Sequence, residues 1–165
     1  MLIIFGGLPG TGKTAIAREL ARQIGAVHLR IDSIEQVIRE CTSPGLTLDE
    51  AGYRVAYAVA EDNLRIGCVV IADSVNPLTI TREAWLQVAH NAEVPAVEIE
   101  VACSDAEEHR RRVEQRVSDI GGLKLPTWSE VLAREYQPWN GEHLVIDTAN
   151  QTVQQSVAKI RKQLG

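Results

Sequence analysis

A glycine-rich segment near the start of the chain places the strongest constraint on its fold. Residues 7–14 read Gly-Leu-Pro-Gly-Thr-Gly-Lys-Thr and directly follow the apolar run Leu2 to Phe5. Glycine allows backbone conformations closed to other residues, so successive N–H groups can point inward around an anion. A helix that starts at the end of such a loop adds its positive N-terminal end. The segment therefore predicts a phosphate-binding loop between a first strand and a first helix.

Each position of this motif has an expected role. Lys13 is expected to reach the β- and γ-phosphates of ATP, and the Thr14 hydroxyl to bind Mg²⁺. A tight strand-to-helix turn without a ligand is the alternative interpretation, but the strand before and the helix after favour phosphate binding. The predicted nucleotide-binding residues of the loop are Gly7, Leu8, Pro9, Gly10, Thr11, Gly12, Lys13 and Thr14.

Short apolar runs alternate with longer helical patterns along the rest of the chain. Strands are predicted over residues 2–5, 27–31, 68–72, 96–101 and 143–146. Helices are predicted over about 12–24, 32–38, 47–66, 79–90, 105–118, 129–136 and 153–164, with a loop at 43–45. This alternation is typical of a parallel sheet covered by helices. We predict one α/β domain over residues 1–165, a three-layer α/β/α fold with a five-stranded parallel sheet and a short helical lid at about 104–122.

Composition and charge exclude several classes of protein. Hydrophobic residues make up 45% of the chain, which favours a packed core, and the net charge of −5 gives no global attraction for nucleic acid or anionic membranes. Cys41, Cys68 and Cys103 are odd in number and far apart, which favours a reducing compartment and small buried apolar roles over disulfides or zinc. The apolar start is too short for a signal peptide or a membrane span. We therefore expect a cytoplasmic protein without a membrane partner.

Missing motifs narrow the choice among phosphate-loop proteins. The chain contains no Asn-Lys-x-Asp guanine motif, which argues against a GTPase. Ser74, and not a water-polarising glutamate, follows Asp73 at the end of an apolar strand, which favours transfer to an organic acceptor over water. A small kinase needs a base for the acceptor hydroxyl, a second carboxylate beside the metal and cations for the transferred group.

Two aspartates at strand ends are candidates for the first two roles. Asp32 follows the second strand and is expected to be the general base, since the carboxyl ends of the strands surround the ligand in such sheets. A helix N-cap is the alternative role for Asp32. Asp73 is expected to hold Mg²⁺ through water or to orient the acceptor, and a plain turn aspartate is the alternative.

The basic stretch at residues 109–116 supplies the cations. Arg112 and Arg116 are four residues apart and would share one helix face, so both could reach one anion as a lid closes over ATP. The alternative is a solvated face paired with neighbouring glutamates. The four histidines, at positions 28, 90, 109 and 143, show no ligand spacing and receive no chemical role. Trp128, Tyr136 and Trp139 are expected to pack onto the core, with an acceptor pocket as the alternative.

Several of these segments together resemble known kinases. The segments 7–14, 30–33 and 70–77, with Arg112 and Arg116, resemble the kinase domain of phage-type polynucleotide kinases. Over nearly its whole length, including residues 136–139 and 144–148, the chain is similar to a group of predicted P-loop kinases often described as AAA-domain ATP-binding proteins. That group stands beside zeta-toxin and chloramphenicol phosphotransferase-like enzymes.

The resemblance implies ATP and Mg²⁺ as cofactors, and it assigns roles by position. It implies Asp32 as general base, Lys13 and Thr14 as the phosphate and metal residues of the loop, and Asp73 as the strand-three aspartate. It also implies that Arg116, with Arg112 beside it, is the lid arginine, and that residues 147–149 lie against adenine, which adds Thr148 to the nucleotide site.

One departure from polynucleotide kinases bears on the acceptor. Those enzymes place an arginine three residues after the base, whereas this chain has Glu35, which would repel a phosphate. The leading hypothesis is therefore a kinase that phosphorylates a hydroxyl of a small molecule. The alternatives are a kinase acting on 5′-hydroxyl ends of polynucleotides and a nucleotide-binding regulatory switch without an acceptor.

Overall fold

The computed structural model describes residues 1–41 and 50–165. In this part of the chain the strands are β1 (Leu2–Gly6), β2 (Val27–Arg30), β3 (Val70–Asp73), β4 (Ala96–Ala102) and β5 (Leu144–Asp147). The helices are α1 (Lys13–Ile24), α2 (Ile31–Cys41), α3 (Ala51–Arg65), α4 (Thr79–Asn91), α5 (Ala106–Gln115), α6 (Trp128–Leu132) and α7 (Val153–Leu164). The loop predicted at 43–45 and the first residues of the helix predicted from Thr47 lie outside the described residues.

The five strands form one parallel sheet in the order β2-β3-β1-β4-β5. The central strand β1 is fully buried, as its uninterrupted apolar sequence predicts for a strand covered on both faces. Phe5 and Arg30 both pair in register with Asp73, from opposite sides of β3. The carboxyl ends of β1, β2 and β3 therefore lie side by side at one edge of the sheet.

Helices cover both faces of the sheet and give it two separate cores. On one face, Ile3, Phe5 and Ile71 pack against α1 and α7. On the other face, Leu2, Ile4 and Ala72 pack against α3 and α4, where Trp85 is completely buried. The predicted three-layer α/β/α fold is confirmed.

Several element ends follow from local sequence. Gly25 ends α1 in the left-handed conformation (φ 67°), and its N–H donates to the Ala21 carbonyl. Thr127 and Glu130 form a capping box at the start of α6, and Thr152 and Gln155 form another at α7. These caps anchor the two helices that follow the predicted lid.

Four sequence predictions need correction. Helix α6 was predicted over about 129–136 but begins at Trp128 and ends at Leu132. Helix α5 was predicted to run to Ser118 but ends at Gln115, because Arg116 is extended and the Ser118 hydroxyl bonds locally to the Ile120 backbone instead of supporting a helix. Strand β3 begins at Val70, two residues later than predicted. The three cysteines are free thiols, but none is buried as predicted: Cys41 is exposed on α2, and Cys68 and Cys103 are half-buried.

No helix among residues 1–41 and 50–165 combines the length and the apolar character needed to cross a membrane.

Candidate active site

The segment between β1 and α1 forms a tight loop that leads into the N-terminus of α1. In this loop the Gly7 N–H donates to the Val75 carbonyl at 3.0 Å and the Thr11 N–H to the Leu8 carbonyl at 3.4 Å. Gly10 and Gly12 adopt positive φ angles of 86° and 98°, which residues other than glycine rarely adopt. No side chain caps the N-terminus of α1, so its first N–H groups are left for a ligand. An uncapped N-terminus beneath such a loop is a binding site for phosphate.

Helix α5 packs directly on this loop and holds it. The buried His109 ring lies 2.8 Å from the Pro9 carbonyl through Nε2. A Cβ atom at Gly10 would overlap the Val113 side chain, so only glycine allows this close approach. No chemical role was predicted for His109, and its Nε2 contacts the protein backbone.

Lys13 lies buried beneath the loop. Its Nζ donates a hydrogen bond to the Leu8 carbonyl at 2.9 Å. Burial lowers the pKa of Lys13 to about 8, although the nearby carboxylates of Asp73 and Asp32 act in the opposite direction. A buried ammonium with little solvation interacts strongly with an anion placed beside it.

Asp73 connects the loop to the neighbouring strand. Its Oδ1 accepts a hydrogen bond from the Thr14 hydroxyl at 3.3 Å, and its Oδ2 lies 3.1 Å from His28 Nε2. A hydroxyl and a carboxylate at this spacing suit Mg²⁺, which takes oxygen ligands and keeps several waters or phosphate oxygens. No group of three or more His, Cys, Asp or Glu side chains in the described part of the chain could hold a metal alone.

The contact with His28 was not predicted from sequence. His28 pairs in register with Ile71, and Asp73 follows Ile71 by two residues. Since side chains two residues apart share a face of a strand, His28 and Asp73 lie on the same face of adjacent strands. The sequence feature that could have indicated this contact is the position of His28, two residues before the end of β2. Sequence alone did not show that β2 and β3 are neighbours.

A cleft of about 1070 Å³ opens above the loop and collects the predicted residues. It runs from the phosphate loop, past the carboxyl ends of β2 and β3, to helix α2 and the loop 116–127. Among the predicted site residues, those lining it are Pro9, Gly10, Gly12, Lys13, Thr14, Asp32, Asp73, Arg112 and Arg116.

Asp32 enters the cleft from the first turn of α2. Strand β3 separates β2 from β1, so Asp32 faces the phosphate loop across Asp73. Its carboxylate has no hydrogen-bond partner among the described residues. The alternative role as a helix N-cap is therefore without support in this part of the chain.

Arg112 and Arg116 do not share a helix face, contrary to the sequence prediction, because α5 ends between them. Arg112 is held by the Glu108 carboxylate and by the hydroxyl and carbonyl of Thr148, at 2.7 and 2.9 Å. Arg116 lines the cleft, and its buried Nε has no hydrogen-bond partner within residues 1–41 and 50–165. Burial lowers the pKa of Arg116, whereas the charge of Asp32 acts to raise it.

Thr148 was predicted to bind nucleotide, but its side chain does not line the cleft. The buried hydroxyl lies 2.8 Å from the Thr11 carbonyl and 3.0 Å from the Ala102 carbonyl, and it accepts from Arg112. The side chain therefore braces the phosphate loop from behind.

The aromatic residues near the predicted acceptor region pack onto the protein. Trp128 contacts the His109 ring edge to face at 5.1 Å. The Tyr136 hydroxyl donates to Glu100 and accepts from Trp139 Nε1 at 2.8 Å. None of the three aromatic rings lines the cleft, which agrees with the packing interpretation.

The far end of the cleft is lined by charged side chains of α2. Glu35 is half-buried, pairs with Arg39 at 3.0 Å, and fills space left by Gly52 of α3. Burial raises the pKa of Glu35, with Arg39 acting in the opposite direction. Gln36 donates to Glu40 on the same wall at 2.9 Å.

The loop 116–127 is tied across the mouth of the cleft by Asp119. Its two carboxylate oxygens accept from Arg18 of α1 at 2.7 Å and from Arg30 of β2 at 2.8 Å. Hydrogen bonds from these two arginines lower the pKa of Asp119 to about 2. Neither this clamp nor the presence of Arg134 in the cleft was predicted, since both depend on long-range folding.

With this geometry in place, a scan against protein families matches residues 2–138 to the family described as AAA domain. The chain belongs to this family, as the sequence resemblance implied. A search of curated proteins found no match.

Solved structures with the same fold include several kinases. The Mycobacterium tuberculosis APS kinase CysC, in complex with AMPPNP and APS, is 17% identical, with a TM-score of 0.73 over 99% of this chain and 96% of that one. Kti12 of Chaetomium thermophilum, in complex with ADP-AlF3, is 23% identical, with a TM-score of 0.70 over 100% of both chains. A gluconokinase from Sinorhizobium meliloti is 18% identical, with a TM-score of 0.63 over 98% of this chain and 94% of that one. The chain thus shares the fold of these three proteins.

Proposed function

We propose that the protein is an ATP- and magnesium-dependent kinase that transfers the γ-phosphoryl group to a hydroxyl of a small molecule. The observation that carries the proposal is the position of Asp32. Its carboxylate has no described partner and opens into the cleft that also contains Lys13, Asp73 and Arg116. An unpartnered carboxylate beside a phosphate site is the group that a kinase needs and a simple nucleotide-binding protein does not.

The reaction follows from the roles of these side chains. The acceptor hydroxyl gives its proton to the Asp32 carboxylate as its oxygen bonds to the γ-phosphorus, and the bond from that phosphorus to the bridging oxygen of ADP breaks. Lys13 and Arg116 are the cations that would neutralise charge on the transferred group. Both have a pKa lowered chiefly by burial, so each gains from a nearby anion.

The loop and β3 would hold the cofactors. The uncapped N–H groups at the start of α1 suit the phosphate chain, and the Thr14 hydroxyl with Asp73 suits Mg²⁺. When bound, Mg²⁺ neutralises charge on the phosphate oxygens. Arg112 and Thr148 would contribute indirectly, since their mutual hydrogen bonds support the loop from behind.

The charge of the acceptor wall favours a neutral or amine-bearing molecule over a polynucleotide. Asp32, Glu35 and Glu40 all lie on the face of α2 that lines the cleft. Arg39, the one cation on that face, is paired with Glu35. A wall with more carboxylates than cations repels a phosphate backbone.

A coupled assay of ADP release tests the proposal. Mg-ATP is offered with separate pools of sugars, nucleosides, amino alcohols and 5′-hydroxyl oligonucleotides, to the wild type and to Asp32→Asn. One pool should raise ADP release in the wild type, and the variant should lose about 100-fold or more of that increase. Asp62→Asn, on the exposed side of α3, is the matched control and should behave as wild type.

Slow ADP release that is indifferent to every pool and to Asp32→Asn would contradict the proposal. An increase with oligonucleotides alone would replace the small-molecule acceptor by a polynucleotide end.

A further inference from the structure

One arginine in the cleft has no part in the chemistry described so far. Arg134 follows α6 and lines the cleft together with Lys13, Asp32 and Arg116. Within residues 1–41 and 50–165, its guanidinium forms no hydrogen bond and no ion pair. The nearby carboxylate of Glu130 is occupied instead by the backbone and hydroxyl of Thr127. Arg134 is exposed, and a cation that lines a binding cleft without a described partner is available to an anionic ligand.

The backbone that carries Arg134 is anchored at both ends. On one side, Val131 of α6 is buried in the core. On the other side, the Gln137 N–H donates to the Pro77 carbonyl at 2.8 Å, and the Gln137 side chain accepts from the Thr79 N–H at 2.9 Å. The guanidinium is therefore presented by a fixed segment, whereas Arg116 lies in the extended chain after α5.

Arg134 lies where the phosphate and acceptor ends of the cleft meet. Burial is the main cause that lowers the pKa of Lys13, and the positive charges of Arg116 and Arg134 lower it further. At the other end, burial raises the pKa of Glu35, and the charges of Arg39 and Arg134 oppose this rise. The charge of Arg134 is thus felt both by the phosphate-loop lysine and by the carboxylate three residues after Asp32.

Three cations converge at this junction from separate parts of the chain: Lys13 from the loop, Arg116 from the end of α5, and Arg134 from the segment after α6. Cations close together repel one another unless an anion lies between them. The group that passes through this junction during the proposed reaction carries negative charge on its outer oxygens.

We infer that Arg134 is a further catalytic residue, which binds the phosphoryl group during its transfer from ATP to the acceptor. The inference rests on the proposed function, because the transferred phosphoryl group is its ligand. Arg134 contributes little to the binding of ADP, which lacks that group.

Binding of a transition-state mimic tests this role without an identified acceptor. Mg-ADP is titrated into the protein with and without aluminium fluoride, which occupies the position of the transferred phosphoryl group. In the wild type, aluminium fluoride should tighten ADP binding. In Arg134→Ala, ADP affinity should stay within about twofold, while affinity for ADP with aluminium fluoride should fall about 10- to 100-fold, the range for a hydrogen bond to a charged group.

Two further variants complete the experiment. Arg134→Lys keeps the charge but loses the planar fork, so its loss should be intermediate. Arg111→Ala removes an exposed arginine of α5 that does not line the cleft, and it should bind both ligands as the wild type does. Unchanged ADP binding by Arg134→Ala also shows that the variant is folded.

An equal loss of affinity for both ligands would overturn the inference, because Arg134 would then bind the nucleotide itself. Unchanged binding of both would overturn it too, as would a wild type that aluminium fluoride does not tighten. If no acceptor is ever found but the selective loss occurs, the proposed transfer fails while the contact of Arg134 with the phosphoryl position stands.

Discussion

The two ends of the cleft are built in different ways. At the phosphate end, the loop 7–14 is packed under α5, and Lys13, Thr14 and Asp73 each have a named partner within the protein. At the acceptor end, the side chains of α2 and of the loop 116–127 are more exposed. Glu35 pairs with Arg39 and Gln36 with Glu40, while Asp119 reaches across to Arg18 and Arg30. The phosphate end is formed largely by the backbone of the loop and by the contacts that hold it, whereas the acceptor end is formed by individual side chains. We therefore expect substitutions at the first end to abolish the chemistry. At the second end, only Asp32 and Arg116, which face the phosphate loop, should have comparable effects, and other substitutions should tune the reaction.

The largest effect is expected for Lys13→Met. This substitution removes the buried cation at a similar side-chain length, so phosphoryl transfer should fall about 1000-fold or more. Steady-state ADP release from Mg-ATP measures the loss. Lys162→Met, on the exposed face of α7, should leave the rate unchanged. Transfer at more than a tenth of the wild-type rate in Lys13→Met would contradict the role of the phosphate end.

The burial of Lys13 should also make the free energy of unfolding depend on pH. The pKa of Lys13 is about 8 in the folded protein and 10.5 without the fold, so the unfolded chain binds more protons between these values. The free energy of unfolding should therefore rise with pH from about 8 to 10.5 in the wild type. Urea titrations should show a smaller rise in Lys13→Met, and equal pH profiles would contradict the burial of a charged Lys13.

Substitutions of Arg112 and Arg116 should distinguish a residue that stabilises the phosphate loop from one that takes part in phosphoryl transfer. Arg112→Ala loses an ion pair and two hydrogen bonds to Thr148, so it should lower the free energy of unfolding by about 2 kcal/mol. Arg116→Ala removes a side chain whose buried Nε has no hydrogen-bond partner in the described part of the chain. It should lower phosphoryl transfer about 100-fold with little loss of stability. Thermal unfolding and ADP release on both variants test the pair, and the opposite pattern would exchange the two roles.

A smaller effect is expected at His28, behind the metal position. His28→Ala removes the contact with Asp73 and should weaken Mn²⁺ binding to the ADP-bound protein about tenfold. His28→Gln can still donate to the carboxylate and should recover part of the affinity. The exposed His90→Ala is the control, and calorimetric titration gives all four affinities. Equal affinity in all of them would show that His28 does not orient Asp73.

The smallest effect belongs to the clamp at the mouth of the cleft. Asp119 pairs with Arg18 and Arg30, and exposed ion pairs contribute about 1 kcal/mol or less. Asp119→Asn should therefore speed nucleotide release no more than about fivefold. The difference from the wild type, measured by stopped-flow, should vanish at about 1 M salt because the charges are screened. A difference that persists in salt would point to packing of the loop instead.

The phosphate end of the cleft was the part of the site that could be predicted from the sequence. The phosphate loop was readable because its glycines, lysine and threonine are consecutive and work through the local backbone, as do the strand-end positions of Asp32 and Asp73. The alternation of apolar and helical segments was enough to predict the parallel sheet. Strand neighbours are not encoded locally, so the contact between His28 and Asp73 could not be foreseen.

The acceptor end was harder to predict because it is assembled from distant segments. The prediction that Arg112 and Arg116 share one helix face was wrong, because α5 ends before Arg116 and the Ser118 hydroxyl bonds locally to Ile120. Thr148 was assigned to the nucleotide by position, although its hydroxyl is directed into the protein. Arg134 lies 102 residues after Asp32 and enters the cleft only because α6 packs beside α5.

The most direct test of a kinase acting on a hydroxyl is to follow the fate of the γ-phosphate by ³¹P NMR. The protein is incubated with Mg-ATP and the acceptor pool that gives the highest ADP release. We expect a phosphomonoester resonance that grows with ADP, is removed by alkaline phosphatase, and is absent with Asp32→Asn. Inorganic phosphate as the only product, at equal rates in the wild type and Asp32→Asn, would contradict it.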